Sequence, residues 1–182
     1  MVNTRQKSEN LLNQWVVSDS LRLHCHMVAD AMEGYAQKLE KPANVRDIWW
    51  TAGLLHDLDW EKFPNEHPKK ATENILPENG YSTEIIEAIE SHAPERTGRE
   101  PETEMERYLF ACDELSGFMH AVSLMRPNKF SDMKVRSVTK KLKDRRFAEN
   151  VPRKDIEKGA NLIGVSLHDH IQNLIEIFKT KY

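Results

Sequence analysis

Cysteine is scarce in this 182-residue chain. Its two residues, Cys25 and Cys112, are too few for a disulfide framework. Both fall in stretches of helical periodicity, where a reduced, packed thiol is the natural reading. Glycine (7) and proline (8) are few and fall mostly between periodic stretches, which leaves no low-complexity tract, and no internal repeat is visible. Long apolar runs are absent. No window comes near the ~18 uninterrupted apolar residues of a membrane span, and the opening Met1-Val2-Asn3-Thr4-Arg5-Gln6-Lys7 is not followed by the apolar stretch of a signal peptide. An excess of one charge is also missing: 26 basic residues stand against 29 acidic ones, for a net charge of −3. No bulk electrostatic pull toward nucleic acid or membrane follows. Neither is an expected partner, the cytoplasm is the expected compartment, and oligomeric state is left open.

What the chain does have is helical patterning from end to end. Hydrophobic residues at 39% and charged residues at 30% suit a soluble, helix-rich protein, and the length is enough to bury a core without a structural metal. The expectation is an all-α fold in one domain over 1–182, with a core at about residues 18–126 and a helical extension at about 127–182. A first helix is expected at about 5–16. A second, capped by Ser18 or Ser20, runs to about Glu40, and Asn44 caps a third that ends near His56-Asp57. Leu58 to Pro68 reads as a loop, followed by a short helix stopped by Pro77 and Gly80. Ser82 opens a helix to about His92. The charged segment Pro94 to Pro101 reads as an exposed, mobile loop. A long helix from Thr103 to Arg126 comes next, then a basic helix capped by Ser131, another starting at Pro152, and a last one capped by Ser166.

Several polar residues sit where apolar ones are expected. His24 lies on the stripe of Leu21, Val28, Ala31 and Tyr35, so it points inward, whereas His26 shares a polar face with Arg22, Asp30 and Glu33. Taken alone, an inward histidine is more often a hydrogen-bonded core residue than a ligand. His56-Asp57 closes a strongly apolar helix, where the backbone relaxes and the dipole favours a cation. Asp113 is set in the apolar run Tyr108-Leu109-Phe110-Ala111-Cys112. Its neighbours one turn away are Leu109, Phe110, Ser116 and Gly117, none of them basic. A buried carboxylate needs a cation: either a distant Arg or Lys, or a metal shared with His24 and His56. His67 and His92 have similar settings, the latter on the stripe of Ile85 and Ile89. Nitrogen and oxygen donors without thiolate suit Fe, Mn, Zn, Ni or Co.

His24, then His56-Asp57, then Asp113 resembles the H…HD…D signature of the HD-domain metal-dependent phosphohydrolase superfamily, across about residues 18–126. The resemblance implies a helical bundle in which His24, His56, Asp57 and Asp113 ligate a divalent metal. If two ions bind, Asp57 is the bridging carboxylate that the resemblance implies, and His67 and His92 match the extra histidines of dinuclear members; whether one ion or two binds is left open. The chain departs from the common His-Asp-Ile-Gly-Lys form, reading His56-Asp57-Leu58-Asp59-Trp60, so the usual lysine is missing. Lys62, Lys69, Lys70 and Arg126 are substitutes by charge for holding phosphate.

The activity implied is hydrolysis of a phosphate ester or anhydride, of a nucleotide or small phosphorylated metabolite, by a metal-activated water, with Asp57 or Asp59 accepting a proton. Two rivals are an HD-fold di-iron oxygenase and a non-catalytic nucleotide or metal sensor. Trp60 and the segment 94–101 are expected at the pocket mouth. His120, His168 and His170 are read as surface or satisfied packing residues.

Overall fold

The structure, a computed structural model, describes residues 4–182. The reading of the opening as lacking a signal peptide rests partly on Met1–Asn3, which lie outside the described residues. Ten α-helices and one π-helical turn make up the regular structure, and no strand occurs among the described residues. No helix there is long and apolar enough to cross a membrane.

Helix α1 spans Thr4–Trp15, α2 Asp19–Lys38 and α3 Ala43–Leu55. Ser18 caps α2 through its hydroxyl, which accepts from the Leu21 amide. Every residue of α3 from Trp49 to Leu55 is buried, as an all-round apolar helix must be. It packs against α2, with α1 on its flank. Gly53 sets the closeness of that crossing: a Cβ there would stand 2.8 Å from the Ala29 backbone. The two helices carrying His24 and His56 meet because this residue has no side chain.

The π-helical turn Ala71–Ile75 runs directly into the short α4, Leu76–Glu78. Helix α5 spans Thr83–Ser91, α6 Pro94–Thr97 and α7 Glu104–Leu124. A capping box fixes the start of α7: the Thr103 hydroxyl accepts from the Glu106 amide and the Glu106 carboxylate accepts from the Thr103 amide. Helices α8, Val135–Leu142, α9, Arg153–Leu162, and α10, Leu167–Lys179, complete the chain. Here α9 lies on α7, and α10 lies on α2, α8 and α9. Phe130, Val138, Ile156, Leu174 and Phe178 from this last third join the same apolar cluster as Leu54, Leu109 and Phe118. Gly159 lets α9 approach α7, since a Cβ there would lie 2.6 Å from the Ala111 Cα.

Four local expectations are corrected. Helix α3 begins after Pro42 rather than Asn44, and the Pro42 carbonyl accepts from the Val45 and Arg46 amides. Proline needs no amide partner at a helix entry. Pro77 lies within α4 for the same reason, and the chain turns at Gly80 with φ of 67°. Ser131 caps nothing. Phe130 and Met133 are buried and hold that stretch in turns, so α8 starts after the extended Lys134. The segment 94–101 is not a loose loop. Pro94–Thr97 forms the helical turn α6 against α5, Arg99 pairs with Glu106 at 2.9 Å, and Pro101 is buried.

Candidate metal centre

Helices α2, α3 and α7 bring His24, His56 and Asp113 to one point. The His24 Nε2 lies 3.0 Å from Asp113 Oδ1 and 3.2 Å from His56 Nε2, and His56 Nε2 lies 3.3 Å from the same Asp113 oxygen. A second set forms beside it. His67, from the turns after α3, and His92, at the end of α5, bring their Nε2 atoms to 3.1 Å. Asp57 belongs to both sets. Its Oδ2 is 3.4 Å from His56 Nε2 and 3.6 Å from His24 Nε2, and its Oδ1 is 3.4 Å from His67 Nε2. All six residues read from the sequence as ligands therefore converge, as two groups each able to hold an ion.

The donor chemistry fits a divalent transition metal. His56 donates its Nδ1–H to the Gly53 carbonyl at 2.8 Å, and His92 donates to the Ile89 carbonyl. His67 donates to the Asp59 carboxylate at 2.7 Å. With Nδ1 carrying the proton, each of these Nε2 atoms presents a lone pair. The His67 and His92 lone pairs face one another, and that of His56 faces the His24 ring nitrogen. Facing acceptors repel, and a shared cation removes the repulsion.

The electrostatics of the bare cluster point the same way. Burial pulls His56 down, but Asp57 and Asp113 outweigh it and hold its pKa well above the usual histidine value. Burial raises both carboxyls, and the neighbouring imidazoles more than reverse that, leaving Asp57 and Asp113 well below the usual range. Burial, then the charge of His56, push His92 down to about 4.

Asp59, expected beside Asp57 as a proton acceptor, does not face the pocket. It is fully buried, with Oδ1 on His67 and Oδ2 accepting from the Ala71 amide at 2.8 Å. The basic residues chosen by charge are also elsewhere. Lys62 donates to the Gln14 carbonyl and lies over the Trp15 ring, and Lys70 lies over Phe63. Arg126 is bound to Ser137 and Asp132. Lys69 is exposed, and none of the four lines the cavity.

That cavity, about 430 Å³, opens over the His/Asp cluster. Trp60, Glu95 and Arg96 line it, as do Phe110 and Glu114 from α7 and Val151, Pro152 and Asp155 around the start of α9. The Trp60 ring meets His67 edge to face at 5.0 Å. Burial pushes Glu114 up to about 9, with Asp113 and Asp155 adding to it. Sequence reasoning passed over Arg96, Glu114 and Asp155. Glu114 carried the same signal as Asp113, with Phe110, Ala111, Gly117 and Phe118 one turn away. Asp155 carried none, being an ordinary acid in the first turn of a helix.

The remaining histidines and the thiols lie off the site. His26 is half-exposed, 3.5 Å from Glu9. His168 is exposed, and His170 is buried between Tyr35 and the Ala111 carbonyl. Cys25 and Cys112 are buried, free thiols, and neither belongs to the ligand groups. A family model described as HD domain matches residues 22–117, more than half of the chain. No curated protein and no solved structure matches it.

Proposed function

From the membership of this chain in the HD-domain family, whose domains are typically metal-dependent hydrolases, we infer that it is a phosphohydrolase acting on a phosphate ester or anhydride. The observation that carries this reading is the Asp57 carboxylate, one oxygen in each ligand group. His24, His56, Asp57 and Asp113 would hold one ion, and Asp57, His67 and His92 would hold a second. Bound there, a divalent transition metal supplies a water acidified toward neutral pH and positive charge for the phosphoryl oxygens.

The chain's own residues do the rest. Gly53, Ile89 and Asp59 fix the imidazoles through their Nδ1 protons, so the donor atoms need no rearrangement. Trp60, Phe110, Val151 and Pro152 line the cavity with apolar surface and narrow the access of solvent. Asp59, with both oxygens engaged, supports His67 rather than accepting a proton. Hydrolysis joins the water oxygen to phosphorus, breaks the P–O bond to the leaving group, and delivers a proton to the departing oxygen.

A nitrogen- and oxygen-donor pair of sites around one carboxylate also suits two irons, which keeps a di-iron oxygenase as the second reading. Elemental analysis of protein purified without added metal, together with a screen of phosphorylated compounds, tests both. Phosphate release without oxygen consumption supports hydrolysis. Oxygen uptake with an organic substrate reverses the choice, and tight ligand binding without turnover at any metal leaves a sensor.

A further inference from the structure

Outside the His/Asp cluster, the cavity wall carries three carboxyl side chains and one cation: Glu95, Glu114, Asp155 and Arg96. Arg96 is pinned. Its Nη1 donates to the Pro64 carbonyl at 2.8 Å, its guanidinium carbon lies 5.0 Å from the centre of the Trp60 ring, and its Nε is 3.8 Å from Glu95. No group among the described residues takes its Nη2. A held guanidinium with a free donor edge matches a phosphoryl group. Trp60 links it to the metal cluster, because the same indole meets His67.

The rest of the wall has the opposite character. Glu114 and Asp155 come from different helices, α7 and α9, and neither side-chain carboxyl has a hydrogen-bond or ion-pair partner among the described residues. Both are partly buried. A row of further phosphates would meet the Asp155 carboxylate unfavourably, while hydroxyl or ammonium donors would complete both side chains through their carboxyl oxygens. A cavity of about 430 Å³ lies near the small end of the roughly 300–1,000 Å³ of ligand sites.

We propose that the cavity takes a phosphate monoester of a small alcohol bearing hydroxyl or ammonium groups, with Arg96 on the phosphoryl oxygens and Glu114 and Asp155 on the alcohol's donors, and that it disfavours nucleoside polyphosphates. This rests on the hydrolase reading and narrows it. The ester P–O bond breaks as the water oxygen bonds to phosphorus, the proton goes to the alcohol oxygen, and the products are inorganic phosphate and the free alcohol.

The test uses the full chain loaded with one divalent metal at a time. Its probes are glycerol 3-phosphate, phosphoethanolamine, AMP and ATP, with inorganic phosphate binding followed by calorimetry. The best of the two small monoesters is expected to exceed ATP in kcat/KM by at least about tenfold. Arg96→Ala raises the monoester KM and weakens inorganic phosphate binding by about tenfold or more, with metal content unchanged, and Arg96→Lys recovers part of both. Asp155→Asn raises the KM for the small monoesters while leaving inorganic phosphate binding intact. Preference for ATP, or wild-type phosphate binding in Arg96→Ala, overturns this inference alone. A metal-loaded wild-type protein that releases phosphate from none of these compounds or of a wider phosphorylated panel overturns the hydrolase reading and this inference with it.

Discussion

The Asp59 carboxylate accepts the Nδ1 proton of His67 across 2.7 Å, while its other oxygen is tied to the backbone at Ala71. The pair fixes the ring's tautomer and leaves Nε2 free for a ligand's role. Replacing Asp59 with Ala frees the His67 ring and strands the Ala71 amide. Metal affinity or turnover is expected to fall by about 10–100-fold, the usual effect of losing such a supporting partner. Metal titration followed by activity measures it. An unchanged Asp59→Ala protein would show that His67 needs no orienting group.

Asp57→Ala removes the oxygens common to both ligand groups. The variant is expected to lose metal retention by more than about 100-fold, since a direct ligand outweighs a supporting one, and to lose activity with it. Its far-UV circular dichroism should stay helical, because the carboxylate lies outside the apolar cluster. Full activity in this variant would remove the mechanism.

His26→Ala serves as the control. The side chain is half-exposed with a weak pairing to Glu9, so stability should move by no more than about 0.5 kcal/mol and metal content not at all. Loss of metal there would place the wrong face of α2 in the site.

Acid sensitivity is expected from His170. The Tyr35 hydroxyl donates to its Nδ1 at 2.5 Å, and its Nε2 donates to the Ala111 carbonyl at 2.9 Å. A neutral ring satisfies both bonds as they stand, and a charged one must reverse the first. Burial pushes the folded pKa down to about 4 from 6.5, partly opposed by the bond to Ala111. The unfolded chain therefore binds the proton more readily, and stability is lost as pH falls from 6.5 toward 4. The shift corresponds to about 3 kcal/mol. Urea unfolding of wild type and His170→Gln across that window isolates the contribution. Parallel curves for the two proteins would contradict it.

Gly53→Ala puts a methyl group 2.8 Å from the Ala29 backbone, where neither helix has a flexible atom to move. A loss of about 1–3 kcal/mol follows from such overpacking, lowering Tm by roughly 2–12 °C in a chain of this size. Because this crossing also sets the His24–His56 spacing, metal affinity should weaken together with stability.

The helices and the ligands were legible in the sequence for the same reason: each breaks or obeys a local period. Ser166 and, of the pair Ser18 and Ser20, Ser18 cap their helices, and Thr103, read only as the start of the long helix, proves to be its cap. His24, His92 and Asp113 interrupt apolar stripes, and the structure brings them together with His56, Asp57 and His67. Pocket walls obey no such rule. Arg96 reaches the site through a stack on Trp60 and a bond to Pro64, and Asp155 arrives there because Gly159 admits α9 against α7. The lysines chosen by charge failed because charge without a neighbour's position says nothing about direction, and Lys62 turns to Gln14 and Trp15 instead. Asp59 was misread because adjacency to His-Asp does not tell a reacting oxygen from a supporting one.

The approach of Gly159 to Ala111 divides labour along the chain. The family match ends at residue 117, yet Val151, Pro152 and Asp155 line the cavity from beyond it. The candidate ligands all lie in the first two-thirds of the polypeptide, whereas the cavity wall draws on the last third as well. Exchanging the stretch around 148–158 is therefore expected to reshape what the cavity admits while leaving the His/Asp cluster in place.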